Sequence, residues 1–525
     1  MSVPLYGGIN ILNRRLVIII FIITASSVIH AQENILEAPL SLRFNDTSIS
    51  GILKSISRKT GYYFTYDTDL VEPGRLASLK ASNRPLRSIL DTLFNDKLLN
   101  YSVIDNHIII YRSMNDETSL LREEGREPVY LLAGRVTDAE NGEPLPYATI
   151  GIKSKGKGTV ANYEGEYTLK LGKEFLDDTL VVSYLGFFSR KIPVEQAVDN
   201  HFDISLTRFY VPIPEVLIRN REPQELIRNA KRNIPENYGS NPVQMTAFYR
   251  ESVSKRNKLQ TYSEAVLMMY KSPYTASLFN DQIKIYKSRK INNLERSDTL
   301  TFKLSSGLDG SLRLDGVKNT FDFLSTESFP YYNYRMTDII NIGDEAAFVI
   351  EFEQKEQVTD MALPKGVMYI NTVNYGIHAV DFEINEDYID ELERSYIQQA
   401  AKSFNVRIRS VKYRVNYRYI NDRFYLNHVR GDLEFYARKK NRLFGNTYTI
   451  FFEMAITDID TLNVRRFERE ERAPLHSIFS ETINTYDRQF WGTDNYLGPE
   501  EGIKEALSRI NARMSEYQSN TNNFQ

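Results

Sequence analysis

The apolar positions of this chain change period along its length, and those changes divide it. Between residues 38 and 112, two near-copies of one pattern stand about 37 residues apart. Leu42, Ile49, Ile52, Leu53 and Ile56 in the first copy align with Leu79, Leu86, Ile89, Leu90 and Leu93 in the second. The spacing i, i+3, i+4, i+7 puts one apolar stripe on a helix in each copy. Ser48 is the expected N-cap of the first helix, and Pro85 suits the first turn of the second. Short extended runs flank both helices: Leu40–Phe44 and Tyr62–Tyr66, then Leu76–Lys80 and Leu99–Val103, with Ile108–Tyr111 closing the unit. The prediction is a small duplicated βαβ domain.

From Gly134 to Gly186 the period falls to two. Ala148, Ile150 and Ile152 alternate with polar or small residues, as do Tyr167, Leu169 and Leu171, and Leu180–Val182 forms a buried run. Turn chemistry at Asp138–Glu143 and Glu164-Gly165 separates them, and Phe202–Leu206 closes the set, which predicts a small antiparallel sandwich. After a short helix over Glu225–Ile234, stopped by Pro235, alternation returns in longer stretches. Phe348, Ile350 and Phe352 share a face. Val380, Phe382 and Ile384 oppose Asp381 and Glu383, and Val411 to Tyr419 alternates with Lys412, Arg414, Asn416 and Arg418. This is the pattern of a large antiparallel meander with one wet side. Ile503, Ala506, Leu507, Ile510 and Met514 then mark a final helix over 499–518, with Pro499 at its start. The fold class is multidomain α+β and all-β: the duplicated βαβ domain, a β-sandwich, then a β-meander able to curl into a half-barrel. The expected boundaries are a signal peptide at 1–31, a first domain at 38–112 and a linker at 113–130. A sandwich at 131–208, a linker at 209–224 and a β-rich domain at 225–525 follow.

The run G-x-V-x-D-A-x-x-G-E-P-L-P-x-A-x-I from Gly134 to Ile150, followed by G-K-G-T, N-x-x-G-x-Y-x-L and D-T-L-V-V-S-Y-L-G, resembles the carboxypeptidase-regulatory-like domain. That domain is a transthyretin-type sandwich. In metallocarboxypeptidases it is a non-catalytic appendage, so the resemblance implies a scaffold. The duplicated unit, with Thr60-Gly61 after its first helix, resembles the short N-terminal (STN) domain of secretins and TonB-dependent receptors. It implies docking of an envelope protein partner through 38–112. Transporters of that kind continue into a plug and a barrel, for which this chain is too short. Gly366–Ile377 looks like the strand-turn-strand repeat of outer-membrane lipoprotein carriers. Finally, NIPENY (Asn233–Tyr238), FYRE (Phe248–Glu251), YDRQFWG (Tyr486–Gly492) and PEE (Pro499–Glu501) are together similar to the C-terminal region of Gram-negative envelope proteins that carry a carboxypeptidase-like regulatory domain.

Composition narrows the setting. In 525 residues the formal charge is only −3, so no global field favours nucleic acid. Arg14-Arg15 precedes an apolar run, Leu16–Ile23, then small residues to Ala31, the layout of a secretory signal cleaved after Ala31. The run is short for a membrane span. The mature protein is expected to be membrane-peripheral at most, in the periplasm or on the periplasmic face of an outer membrane. The chain has no cysteine, which excludes disulfides, thiolate metal sites and a Cys nucleophile.

Candidate chemistry is sparse. His107, His201, His378, His428 and His476 show no helical zinc spacing. Gly151–Lys157 matches the first seven positions of a phosphate-binding P-loop, but Gly158 stands where that motif needs Ser or Thr, and Thr159 onward reads as turn and strand, so a hairpin is expected. Asp177-Asp178 sits in a turn that opens a strand. No Gly-x-Ser-x-Gly elbow occurs; a Ser-His-Asp triad without a local motif stays open. No enzyme activity, cofactor or metal is expected.

Two features remain. Eleven cations fall between Arg407 and Arg442, against three carboxylates: Arg407, Arg409, Lys412, Arg414, Arg418, Arg423, Arg430, Arg438, Lys439, Lys440 and Arg442. Arg407, Arg409, Lys412, Arg414, Arg418, Arg438, Lys439, Lys440 and Arg442 make up a candidate surface for anionic lipid headgroups, lipopolysaccharide or an acidic partner. The ordinary alternative is a solvated sheet face balanced by acidic segments elsewhere. The chain also holds 34 Tyr and 28 Phe, which suit a lipid or glycan groove as well as plain strand propensity. The resulting expectation is a non-enzymatic envelope binding or scaffold protein. The alternatives are a lipid or lipoprotein carrier using the C-terminal sheet as an apolar trough, and an unrecognised hydrolase.

Overall fold

The computed structural model describes residues 35–66, 71, 75–95, 99–104, 107–112, 129–198, 201–209, 222–292, 307–343, 345–358, 362–384, 404–475, 479 and 494–505. The expected signal peptide, most of both linkers, YDRQFWG, His476 and the final helix beyond residue 505 lie outside them. The chain divides into two compact units at Ser113.

In the amino-terminal unit the duplication is plain. Strand β1 (Pro39–Ser48) leads into helix Ile49–Thr60 and β2 (Tyr63–Tyr66); β3 (Leu76–Pro85) leads into helix Leu86–Phe94, β4 (Leu99–Ile104) and β5 (His107–Arg112). Ser48 caps the first helix by accepting from the Gly51 amide, and Gly61 ends it at φ +75°, where a Cβ would be strained. Pro85 is the residue before the second helix rather than within it, one position earlier than its spacing suggests. β1 pairs antiparallel with β3, while β5 lies between β2 and β4. The two stripes meet as one core, with Ile49, Ile52, Ile56, Leu86, Ile89 and Leu90 fully buried.

The second unit begins with the sandwich. One sheet has the order β12-β10-β7-β8, built from β7 (Thr149–Ile152), β8 (Gly158–Val160), β10 (Thr179–Ser183) and β12 (Arg190–Pro193). The other is β13-β6-β9, from β6 (Val129–Asp138), β9 (Glu166–Gly172) and β13 (Ile204–Leu206). The P-loop lookalike is the β7–β8 hairpin, with Gly151 opposite Gly158. β11 (Phe187–Phe188) leaves the sandwich and pairs in parallel with Ile342 and Gly343, at the edge of a much larger sheet.

That sheet has eleven strands in the order β11-β17-β18-β19-β20-β21-β22-β23-β14-β15-β16. Its long members are β14 (Val243–Lys255), β15 (Lys258–Lys271), β16 (Gln282–Asn292), β17 (Tyr332–Gly343) and β18 (Glu345–Gln354). They continue through β19 (Pro364–Asn371), β20 (Ile377–Ile384), β21 (Phe404–Ile420), β22 (Arg423–Lys439) and β23 (Asn446–Asp460). β11 and β16 form its two edges, so it stays open. One face is apolar, and the chain's own short helices cover it. Leu226 and Ile227 of helix Pro223–Arg232, Leu308 and Leu312 of helix Gly307–Arg313, and Phe323 and Phe329 join Ile350, Met368, Val415, Val429 and Met454 in one core.

The expectation of one wet side holds for β20 and β21 but not for β14, where nine of thirteen residues are buried. The sandwich packs against the second face there. Val160, Phe248, Val266, Ala455 and Leu497 meet in the seam at 2% exposure or less. Gly156 lies so close that a Cβ would stand 2.0 Å from the Ile459 carbonyl oxygen. The glycines of the lookalike motif serve close packing, not phosphate.

Candidate functional site: the seam between sandwich and sheet

Residues 494–501 cross the seam. Asn495 receives the Lys170 amide at 2.6 Å and donates to the Lys170 carbonyl at 3.2 Å. Glu164 of the sandwich accepts from the Glu501 amide at 3.1 Å. On the sheet side Arg250 Nη1 donates to the Gly498 carbonyl at 2.9 Å, and Glu500 pairs with Arg430. Arg250 belongs to FYRE and Glu500 to PEE, so two motifs some 250 residues apart form one contact. NIPENY is anchored elsewhere: the Tyr238 hydroxyl accepts from the Ile377 amide, and Asn237 donates to the Asn374 carbonyl.

Beneath these residues lies a buried charge cluster. Arg250 Nε donates to Glu453 at 2.6 Å, and both side chains are 0% exposed. His428 Nε2 stands 2.7 Å from the other Glu453 oxygen. Burial alone would raise the Glu453 carboxyl, but Arg250, the His428 hydrogen bond and Arg430 hold it well below the usual carboxylate range. Burial also lowers His428, against the pull of Glu453. An ionised carboxylate only accepts, so Nε2 carries the proton and Nδ1 keeps a lone pair; Nδ1 has no partner among the described residues. The Tyr147 ring stacks on His428 with centroids 5.0 Å apart, and Arg414 and Arg430 lie over it at 5.1 and 5.6 Å. Tyr147 takes φ +64°, a left-handed conformation that costs a non-glycine residue about 1–2 kcal/mol.

A second cluster occupies the apolar face. Lys271 Nζ lies 2.6 Å from Asp315 and 2.9 Å from Asp281; Lys318 Nζ lies 2.6 Å from Asp281 and 2.7 Å from Ser272 Oγ. All four charged side chains are 1% exposed or less. Burial and then Lys271 pull Lys318 down to about 8. Burial opposes the Lys271 charge, but Asp315 and Asp281 keep it raised. Ser272 and Lys318 resemble a nucleophile and base in spacing, yet Ser272 is 2% exposed and its hydroxyl donates to Asp281. This arrangement is structural.

Beside Tyr147 the seam opens into a cleft of about 870 Å³. Its floor is the polar face of β17–β22. Arg335, Lys365, Lys412, Arg414 and Arg430 line it together with Glu351, Glu353, Asp381, Glu383 and Asp432, under Tyr147 and the half-exposed Tyr163. Most of these charges are paired across strands. Arg414 binds Asp381 through two nitrogens at 2.7 and 3.0 Å, Lys365 and Lys412 flank Glu383 at 3.3 and 3.5 Å, and Arg430 is bidentate to Asp432.

The cationic run is therefore not one surface. Lys412 and Arg414 are neutralised in the cleft floor. Arg409 faces Glu434 at 3.5 Å. Arg418 is buried, donating to the Gly156 carbonyl at 2.6 Å and holding the sandwich hairpin. Alternation groups it with its neighbours, but the sandwich covers that end of β21. Arg407, Arg438, Lys439, Lys440 and Arg442 stay together at the opposite end of the β21–β22 ladder. Of the histidines, His201 is exposed beside Asp203 and His378 is buried beside Asn371. Asp178 of the acidic pair binds Lys155 at 2.5 Å.

Residues 132–217 match the CarboxypepD_reg-like domain family. This is the sandwich just described, with the segment that follows it. No curated protein matches the chain. Among solved structures, a LolA superfamily protein from Nitrosomonas europaea is similar at 10% identity, over 48% of this chain and 96% of that one, with a TM-score of 0.18. A putative outer membrane lipoprotein-sorting protein domain from Vibrio parahaemolyticus is similar at 11% identity, over 47% and 96%, with a TM-score of 0.19.

Proposed function

We propose that this chain is a non-enzymatic binding protein of the cell envelope whose ligand site is the cleft beside Tyr147. The observation that carries the reading is the cleft's charge balance: five cations and five carboxylates around about 870 Å³. A strongly charged ligand would have to break existing pairs in a partly desolvated site. A neutral polar ligand can use the lone pairs and N–H groups the pairs leave over, with the Tyr147 and Tyr163 rings as apolar platforms. The preferred ligand is thus an uncharged, hydroxyl-rich molecule such as an oligosaccharide. Export and docking of an envelope partner through 38–112 belong to the same proposal, supported by the leader-like residues 14–31 and the duplicated unit.

The test is binding of the full chain to an array of neutral and acidic oligosaccharides. Retention of a neutral glycan, weakened at least tenfold by Tyr163→Ala and untouched by Val373→Ser at the exposed β19–β20 turn, is the expected result. Absence of any glycan sensitive to Tyr163, or preference for acidic ones, would refute the reading. A lipid carrier would use the opposite face, and the helices packed there would have to leave it. Native mass spectrometry is therefore expected to find no co-purifying lipid.

A further inference from the structure

The part of the cationic run left unpaired ends in an apolar tip. The β22–β23 hairpin turns through Lys439–Gly445, closed by the Arg442 amide donating to the Lys439 carbonyl at 2.9 Å. At its apex Leu443 and Phe444 are 85% and 83% exposed. Lys439, Lys440 and Arg442 surround them, with Arg438 at the strand end. The β14–β15 hairpin lies alongside, its Arg256 amide donating to the Thr447 carbonyl at 3.0 Å, and it adds Lys255, Arg256 and Lys258. Arg407 stands on the neighbouring strand, opposite Tyr436. No carboxylate among the described residues pairs with any of these eight cations.

On its β20 side the β21–β22 ladder also outruns its neighbour among the described residues, while β23 and β14 run beside it on the other. The last pair between β20 and β21 is Glu383 with Lys412, whereas β21 and β22 stay paired to Phe404 and Lys439. Eight further residues of β21 extend the ladder by roughly 26 Å at the usual rise per strand residue. Two adjacent large apolar side chains at an exposed apex gain nothing from water, and soluble surfaces seldom place them inside a ring of cations. An anionic bilayer satisfies both features at once. The Leu443 and Phe444 side chains enter the headgroup–acyl boundary while lysine and arginine remain at the phosphates. Among the described residues no helix is long and apolar enough to cross a membrane, so such a contact would be peripheral.

We infer that the β22–β23 hairpin tip, with the β14–β15 hairpin beside it, is a docking site for an anionic lipid bilayer. This is independent of the cleft. The experiment is co-sedimentation of the full chain with vesicles of phosphatidylglycerol and phosphatidylcholine, and with vesicles of phosphatidylcholine alone. Binding to the anionic vesicles that weakens with salt is expected. Leu443→Ser with Phe444→Ser should lower partitioning about tenfold or more. Lys439→Gln, Lys440→Gln and Arg442→Gln together should lower it about a hundredfold. Leu462→Ser, equally exposed at the other end of β23, should leave it unchanged. Vesicle binding that survives both tip variants, an equal loss in Leu462→Ser, no binding at all, or capture by polyglutamate without capture by vesicles would each overturn the inference.

Discussion

The large sheet buries a charge cluster on each face, and the two are built for different ends. On the apolar face, Lys271, Lys318, Asp281 and Asp315 form a closed set of two cations and two anions, and every member comes from the sheet and the helices that cover it. On the sandwich face, Arg250 and Glu453 form the centre, but their partners lead outward. Arg250 reaches the Gly498 carbonyl, Arg430 reaches Glu500 and the cleft, and His428 lies against Tyr147 of the sandwich. A closed cluster can be removed whole. An open one cannot be removed without releasing what it holds.

Charge removal at the centre of the open cluster has the largest expected effect. Glu453→Gln leaves Arg250 and Arg430 buried with their shared anion gone, a loss of about 3–5 kcal/mol. Thermal or denaturant unfolding measures it; a loss under 1 kcal/mol would mean that Glu500 and Asp432 neutralise both guanidiniums without Glu453. Lys271→Met should cost about 3 kcal/mol for the same reason, since Asp315 is left facing only neutral donors. The comparison is sharpened by charge-neutral double variants. Lys271→Met with Asp315→Leu should recover most of the single loss, because Asp281 and Lys318 still balance each other. Arg250→Met with Glu453→Leu should keep the sheet but remove the shorter hydrogen bond to the Gly498 carbonyl, leaving it only Asn162 at 3.5 Å, seen as faster hydrogen exchange at 494–501. Equal exchange in both doubles would erase the distinction.

Gly156→Ala tests the seam itself. Its Cβ would meet backbone atoms of Ile459 at 2.0 to 2.8 Å, which no rotamer change relieves. The sandwich must shift, at an expected 1–3 kcal/mol, the usual penalty of overpacking. A stability unchanged within error would mean the seam is looser than the contact distance implies.

How much of this was readable from the chain depends on what covers each strand. The helical stripes of the first unit, Ile49 to Ile56 and Leu86 to Leu93, report their own burial because a single core lies on one side. β20 and β21 are equally legible where their polar face meets the open cleft. β14, β15 and β23 are not. The sandwich covers them, so Arg250 and Glu453 sit inside runs that are apolar in both phases. A trace does exist: Glu453 is the lone carboxylate between Phe451-Phe452 and Met454-Ala455. Such a charge must be paired or neutral, though only the fold names its partner. Arg418 carries no trace at all. It shares its phase with Lys412 and Arg414, and the carbonyl that binds it lies 262 residues away.

The smallest expected effect is a pH slope that separates the clusters. Only the open one contains a histidine among the described residues. His428 faces Glu453, Arg430, Arg414 and Tyr147, and burial holds its folded pKa below the ordinary value. His378, buried elsewhere, is pushed down to about 4. In both cases the unfolded chain takes up the proton first as pH falls. Stability is therefore complete above about pH 6.5 and declines below it, by at most about 1.4 kcal/mol per pH unit for each histidine. Glu453 and Asp281 have lowered pKa values, so their own losses begin only at more acid pH. Between pH 7.5 and 5.5, His428→Gln should remove one histidine's share of the slope while the amide still donates to Glu453. The charge-neutral double variant Lys271→Met with Asp315→Leu, which leaves no unpaired buried carboxylate to titrate, should leave the slope intact. If the two variants show the same slope, His428 is not the group that makes the sandwich-side cluster sensitive to protons, and the contrast between the faces reduces to which backbone each one holds.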